Sequence, residues 1–90
     1  MTIDEVREKI DKLDRDLLRI FNERAALALA IGEIKKELGL PVYDPSREKR
    51  IFDAMSAANP GPLDNEAIIR LFERVIDESR SLERLRTKGI

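Results

Sequence analysis

The apolar residues in the first part of the chain recur at intervals of three and then four, the spacing of one face of an α-helix. This pattern predicts an uninterrupted helix from residue 3 to residue 38. We call its apolar line the seam, which consists of Ile3, Val6, Ile10, Leu13, Leu17, Ile20, Leu27, Ile31, Ile34 and Leu38. The regular spacing leaves one gap in the seam, and Arg24 fills it.

The predicted helix is too long to be covered by its own chain. At about 1.5 Å of rise per residue it would extend roughly 54 Å, whereas a compact chain of 90 residues would be only about 31 Å across. A chain of this size also buries only about 60% of the surface that its unfolded state exposes. We therefore expect the seam to pack against a second copy in a two-fold homodimer.

A second, shorter helix follows the first. Gly39 is the usual kind of residue at a helix C-terminus, so it ends the first helix. Asp44 and Pro45 form a strong start signal, because the carboxylate caps free amides and proline suits the first helical position. The second helix is predicted to run to about Ala58, where the Asn-Pro-Gly-Pro sequence of residues 59–62 breaks it.

A third helix is predicted to open at Leu63 and Asp64 and to end near Lys88 and Gly89. Spacing places a set of apolar residues on the inner faces of the two shorter helices: Ile51, Phe52, Met55, Ala58, Ile68, Leu71, Phe72, Val75, Leu82 and Leu85. The sequence therefore predicts an all-α fold with one very long, one short and one medium helix. We expect residues 1–90 to form a single domain.

Composition excludes several kinds of chemistry and partner. Seventeen basic and 18 acidic side chains leave a formal charge of -1, which provides no overall attraction to nucleic acid or to an anionic membrane. The sequence contains no Cys and no His, so thiolate, imidazole and the usual zinc chemistry are absent. The amino-terminal sequence is charged, and the small apolar run at residues 25–32 is too short for a bilayer, so we expect a cytoplasmic protein.

Six polar side chains interrupt the predicted apolar faces: Arg24 and Lys35 on the first helix, Arg47 and Glu48 on the second, and Ser79 and Glu83 on the third. Arg24 and Lys35 are 11 residues apart, which brings them within about 20° of the same direction. The stretch between them is rich in small residues. Gly32 in that stretch predicts a close approach by another part of the protein or by a ligand.

Each of these residues also has an ordinary explanation. Arg24 and Lys35 could be side chains that snorkel at the edge of a core. Glu83 could pair with Arg80 or Arg86, and the pair on the second helix could be surface decoration. Taken together, however, these residues favour a functional explanation. A cation on a buried surface is destabilising without a partner, so several of them on faces that meet predict a pocket for a small polyanion such as a dicarboxylate.

Several segments of the chain resemble the all-helical chorismate mutases. They are Val6 to Ile10 with Leu13 and Asp14, Glu23 and Arg24 followed by Ile31, Gly32 and Lys35, and the Gly-Leu-Pro-Val-Tyr-Asp-Pro-Ser-Arg-Glu sequence of residues 39–48. The resemblance covers nearly the whole chain. It implies an intertwined homodimer with two active sites. It also implies conversion of chorismate to prephenate, the committed step toward phenylalanine and tyrosine, without a cofactor or a metal.

The resemblance also implies roles for individual residues. The partner's Arg7, which the apolar pattern does not single out, would join Arg24, Lys35 and Arg47 in holding the two substrate carboxylates. Ser79 would assist at one carboxylate, and Glu48 and the backbone of Asp44 would contact the ring hydroxyl. Lys35 and Glu83 would face the ether oxygen. The implied catalytic residues are these two together with Arg24.

Position 83 departs from many bacterial relatives, which carry Gln there. Gln is a permanent hydrogen-bond donor, whereas Glu83 donates only while it is protonated. We therefore predict a raised pKa for Glu83 and an activity that falls as the pH rises through it.

Two alternative functions remain open from the sequence. An isochorismate pyruvate lyase would be a similar helical dimer that acts on a related dianion. A non-catalytic helical dimerisation module would use the charged residues in ion pairs between protomers. The sequence is compatible with a free-standing enzyme and with part of a fusion to a dehydratase, dehydrogenase or synthase.

Overall fold

The computed structural model describes residues 1–87, which form three helices. They are α1 (Ile3–Leu38), α2 (Pro45–Ala58) and α3 (Asn65–Thr87). The predicted all-α fold with one long, one short and one medium helix is confirmed. The predicted end of the third helix near Lys88 and Gly89 lies outside the described residues.

Local side-chain chemistry sets the start of each helix. The backbone N–H of Glu5 donates to the hydroxyl of Thr2 at 3.1 Å, at the start of α1. Asp44 accepts from the backbone N–H of Arg47 at 3.1 Å in the same way at the start of α2. Asp64 does the same for α3, at 2.8 Å from the backbone nitrogen of Ala67. Each such cap stabilises its helix by about 1 kcal/mol.

Gly39 ends α1 in a conformation that favours glycine. Its φ of 70° is left-handed, and its backbone N–H donates to Lys36. The next N–H, of Leu40, donates to the carbonyl of Lys35 at 2.8 Å. The chain therefore leaves α1 sharply at this point and returns toward α2 and α3.

The described chain is thin and elongated. Its dimensions are 54 × 29 × 14 Å, and its radius of gyration is 16.2 Å, compared with about 12 Å for a compact chain of this length. The long dimension agrees with the length expected for α1, and the short one is less than half of the roughly 31 Å expected across a compact chain of this length. α3 packs against both α1 and α2, while the amino-terminal half of α1 extends beyond them.

Little of the single chain is buried. Ile76, at 8% exposure, is the buried apolar side chain among the described residues, and Ser79 and Glu83 are each 9% exposed. These three residues follow the three-then-four spacing of one helical face, and this face of α3 meets the other helices. The apolar stripe predicted for the third helix does not include Ile76, so the structure corrects the prediction at this residue.

The structure also corrects three apolar residues predicted to face inward. Leu71 and Leu85 are 54% and 55% exposed, and Ala58 at the end of α2 is exposed as well. The two leucines lie five and nine residues from Ile76, which corresponds to rotations of about 140° and 180° around α3. They point away from the packed face for this reason, so the prediction is wrong for the single chain.

The seam of α1 is exposed along most of its length. The exposure is 69% at Ile3, 61% at Leu13 and 67% at Leu27. Two apolar residues beside the seam, Leu18 and Phe21, are also 64% and 48% exposed. Contiguous apolar surface of this extent marks an interaction site. None of the described helices combines the length with the apolar composition that is needed to cross a bilayer.

Candidate active site

A pocket of about 310 Å³ lies where the carboxyl-terminal half of α1 meets α2 and α3. Its apolar floor consists of Leu27, Ala28, Ile31, Val42, Ile51 and Ile76. Its polar lining consists of Arg24, Lys35, Asp44, Arg47, Glu48, Ser79, Arg80 and Glu83. The pocket therefore combines a low-polarity floor with charged walls, a setting in which electrostatic interactions are stronger than in water.

The structure brings together seven of the eight residues that the sequence analysis assigned to the site. They are Arg24, Lys35, Asp44, Arg47, Glu48, Ser79 and Glu83. The eighth, Arg7, is exposed and is absent from the lining. It precedes Arg24 by 17 residues, or about 26 Å along α1, which is farther than an arginine side chain reaches.

Neutral acceptors orient two of the cations. Arg24 donates through Nη1 to the hydroxyl of Ser79 at 3.1 Å, which links α1 to α3. Lys35 donates through Nζ to the backbone carbonyl of Val42 at 3.1 Å, which links α1 to the segment before α2. Because both acceptors are neutral, these contacts fix the cations without cancelling their charge.

Glu48 is held by Arg80, a residue that the sequence analysis mentioned only as a possible partner of Glu83. Nη1 of Arg80 donates to Oε2 of Glu48 at 2.9 Å, and Nη2 donates to Oδ1 of Asp77 at 2.6 Å. The guanidinium carbon lies 5.0 Å from the centre of the Tyr43 ring. Arg80 lies four residues after Ile76 and therefore on the same face of α3. Its position in the lining is predictable once Ile76 is known to be the buried residue of α3.

Burial raises the pKa of Glu83 above its ordinary value, and the positive charges of Lys35, Arg24 and Arg80 act in the opposite direction. The residue is 9% exposed, so desolvation favours the neutral form of its carboxyl. The predicted direction of this pKa shift is confirmed. A protonated Glu83 can donate a hydrogen bond into the pocket, which an ionised one cannot.

The charge of the lining matches a small dianion. Four cations, Arg24, Lys35, Arg47 and Arg80, stand against the carboxylates of Asp44 and Glu48. When Glu83 is protonated, the lining therefore carries an excess of two positive charges. Such a site can bind two carboxylates and can stabilise negative charge that develops during a reaction. These features define an all-helical protein with a preorganised pocket that carries a net positive charge.

Residues 6–84 match the family model of chorismate mutase type II, and the chain belongs to this family. Chorismate mutases are isomerases that convert chorismate to prephenate, in the biosynthesis of aromatic amino acids. The chain is 36% identical over 81 residues to the chorismate mutase of Methanocaldococcus jannaschii, covering 89% of this chain and 82% of that protein.

The chain is also similar to larger proteins. It is 39% identical over 84 residues to the bifunctional chorismate mutase/prephenate dehydratase of Aquifex aeolicus. That match covers 89% of this chain but 23% of the relative. The chain thus spans between about a fifth and a quarter of the length of the bifunctional relatives that it matches.

Solved structures of chorismate mutases share the fold. Form II of the enzyme from Thermus thermophilus has a TM-score of 0.90 at 40% identity, with 91% of this chain and 93% of that chain covered. The Helicobacter pylori chorismate mutase in complex with prephenate has a TM-score of 0.89 at 30% identity, with 98% and 96% covered.

Proposed function

We propose that this chain converts chorismate to prephenate in the pocket between its three helices. The main observation behind this proposal is that Arg24, Lys35 and Arg47, from two helices, line one cavity whose charge suits a dianion. Membership of the chorismate mutase family supports the same substrate.

The reaction needs no nucleophile and no general base. It is a unimolecular [3,3] rearrangement, in which one carbon–oxygen bond breaks and one carbon–carbon bond forms with no atom gained or lost. The pocket must hold the compact conformer of the substrate and stabilise negative charge that develops on the ether oxygen. Preorganised cations and a neutral donor supply both effects.

The proposed roles are those that the resemblance to chorismate mutases implies. Arg24 and Arg47 hold the substrate carboxylates, and Ser79, which already accepts from Arg24, assists at one of them. Lys35 and protonated Glu83 face the ether oxygen. Glu48 and the backbone of Asp44 engage the ring hydroxyl, so that they orient the ring against the apolar floor.

We further propose that the active unit is a two-fold homodimer in which the partner's Arg7 completes the pocket. The exposed seam and the elongated shape of the chain leave a large apolar surface to be covered. Arg7 lies about 26 Å along α1 from the pocket of its own chain, so this residue can reach a pocket only in another copy.

This arrangement fixes how the two long helices pair. If the partner's Arg7 faces Arg24, the helices run antiparallel and the two-fold axis crosses α1 between residues 15 and 16. Leu13 then faces Leu18 of the partner subunit, and Ile10 faces Phe21 of the partner subunit. Leu18 and Phe21 are the exposed apolar residues beside the seam, and the pairing gives both of them an apolar neighbour.

The proposal is tested by following the loss of chorismate absorbance and identifying the product. We expect prephenate, saturable kinetics and a large loss of substrate binding in Arg24→Ala. Release of pyruvate from isochorismate without turnover of chorismate would instead indicate the lyase. Absence of saturable binding, with no effect of Arg24→Ala, would indicate a non-catalytic dimerisation module. The cytoplasmic location and the single domain over residues 1–90 stay predictions of the sequence.

A further inference from the structure

Arg80 lines the pocket but has no role in the mechanism described above. We propose that Arg80 is a positioning residue, which holds the carboxylate of Glu48 in the orientation that binds the ring hydroxyl of the substrate. This inference rests on the proposed function, because it concerns the same site and the same substrate.

The ion pair between Arg80 and Glu48 differs from those on the surface. It joins α3 to α2 at 2.9 Å, and its side chains are 20% and 21% exposed. The pair of Arg74 and Glu78 lies within α3 at 3.4 Å, with side chains 77% and 66% exposed. Solvent screens the exposed pair and leaves it mobile. The half-buried pair is shielded, so it can fix a carboxylate in one orientation.

Arg80 is itself held on two sides. Oδ1 of Asp77 accepts from Nη2 at 2.6 Å, and the ring of Tyr43 lies 5.0 Å from the guanidinium carbon. The planar guanidinium can donate in two directions and stack on a ring at once, which a lysine ammonium cannot do. The orientation of the group that donates to Glu48 is therefore determined by contacts from α3 and from the segment before α2.

The contact leaves Glu48 able to act on the substrate. Arg80 donates to Oε2 of the carboxylate, which leaves Oε1 to accept from the ring hydroxyl in the proposed function. Without Arg80, the negative charge of Glu48 would be drawn toward the remaining cations of the lining, and it would compete with the substrate carboxylates for them. Arg80 thus keeps a necessary carboxylate inside a site built to bind anions.

The test compares Arg80→Met, which removes the guanidinium but keeps an unbranched apolar stem, with Arg80→Lys and with the matched control Arg74→Met on the same helix. Kinetics with chorismate are measured on the intact protein, and circular dichroism confirms folding. We expect kcat/KM to fall about tenfold in Arg80→Met, to recover only in part in Arg80→Lys, and to stay within about twofold of wild type in Arg74→Met.

A double-mutant cycle separates positioning from a structural role. If Arg80 acts through Glu48, Arg80→Met should change kcat/KM by less than about twofold in a Glu48→Ala background, in which residue 48 has no oxygen for Arg80 to hold. A purely structural role would lower the melting temperature without this coupling in kcat/KM. If Arg80→Met does not fold, the same cycle is run with Arg80→Lys.

Two results would overturn the inference while the proposed function stands. The first is an Arg80→Met variant that is as active as Arg74→Met. The second is a double variant whose loss of kcat/KM equals the product of the losses in the two single variants. A wild-type protein that does not convert chorismate would overturn the proposed function itself. The two failures are therefore distinguishable.

Discussion

Gly32 on α1 and Glu83 on α3 approach each other so closely that a Cβ atom at residue 32 would lie 3.2 Å from Cγ of Glu83. A glycine inside a helix costs about 1 kcal/mol relative to alanine. The sequence predicts a close approach at Gly32, and the neighbour is the side chain of Glu83. The missing side chain at residue 32 therefore makes room for the buried carboxyl that faces the pocket.

Gly32→Ala is expected to lower kcat about tenfold, because the added methyl displaces the carboxyl of Glu83 by a few tenths of an ångström from the ether oxygen. KM should change less, since the three atoms nearest to the added methyl all belong to Glu83 and not to a carboxylate-binding cation. Steady-state kinetics measure both quantities.

In a Glu83→Ala background the close contact with Cγ is gone, and Gly32→Ala should then stabilise the protein by up to about 1 kcal/mol in urea unfolding. Full activity of Gly32→Ala would contradict this explanation.

The activity of the wild type is expected to be high at low pH and to fall as the pH rises through the raised pKa of Glu83. Burial raises this pKa, while Lys35, Arg24 and Arg80 oppose the shift. The protonated form donates to the ether oxygen and the ionised form does not. A pH profile of kcat for the wild type and for Glu83→Gln measures the effect, and the variant should lose this decline. Identical profiles would remove the proposed role.

The same group should make stability depend on pH. Because the folded-state pKa of Glu83 lies above its ordinary value of 4.5, the folded state binds more protons than the unfolded state between these two values. The free energy of unfolding contributed by this group is thus fully present below 4.5 and falls as the pH rises through the folded pKa. Urea unfolding of the wild type against Glu83→Gln across this interval isolates the contribution of Glu83.

Lys35→Ala is expected to reduce kcat by about two orders of magnitude. Loss of one donor at an oxygen that gains negative charge costs around 3 kcal/mol in the transition state. Lys36→Ala is the matched control, because Lys36 is the next residue of α1, is exposed and does not line the pocket. Single-turnover kinetics with chorismate give the comparison. A Lys35→Ala enzyme within fivefold of the control would place the ether oxygen away from Lys35.

The features that were predictable from the sequence are local ones. The bounds of α1 and α2 followed from apolar spacing and from signals such as Gly39, Asp44 and Pro45, since each acts within a few residues of itself. Polar breaks in an apolar stripe located most of the site, because a charge on a buried face needs a partner or a ligand.

The features that were missed depend on how the helices pack. Ile76 and Arg80 are neighbours on α3, and their environment is decided by which side of α3 meets α1 and α2. The apolar residues of α3 extend around a wide arc that includes Leu71 and Leu85, so spacing alone does not identify the packed side. The contact of Arg80 with Glu48 joins residues 32 positions apart, and no local pattern encodes it.

The pairing of the long helices predicts which single cysteines will crosslink two copies. With the two-fold axis between residues 15 and 16, the two copies of Leu17 are offset by about 4.5 Å along the helices, and the copies of Ile10 by about 16 Å. A disulfide requires Cα atoms within about 7 Å. The chain contains no Cys, so each variant carries one thiol. Leu17→Cys is expected to form a covalent dimer under mild oxidation, and Ile10→Cys is expected to remain monomeric on a non-reducing gel.

Ile10→Cys distinguishes this arrangement from the other ways of covering the seam. In a parallel, in-register pair every seam residue faces its own copy, so both variants would crosslink and the partner's Arg7 would lie beside Arg7 rather than beside Arg24. In a monomer neither variant would crosslink specifically. Crosslinking of Leu17→Cys alone, with chorismate turnover retained in the oxidised dimer, is the pattern expected if each pocket is completed by the other copy. Crosslinking of Ile10→Cys would show that the helices pair in a register that leaves Arg7 unable to reach the substrate.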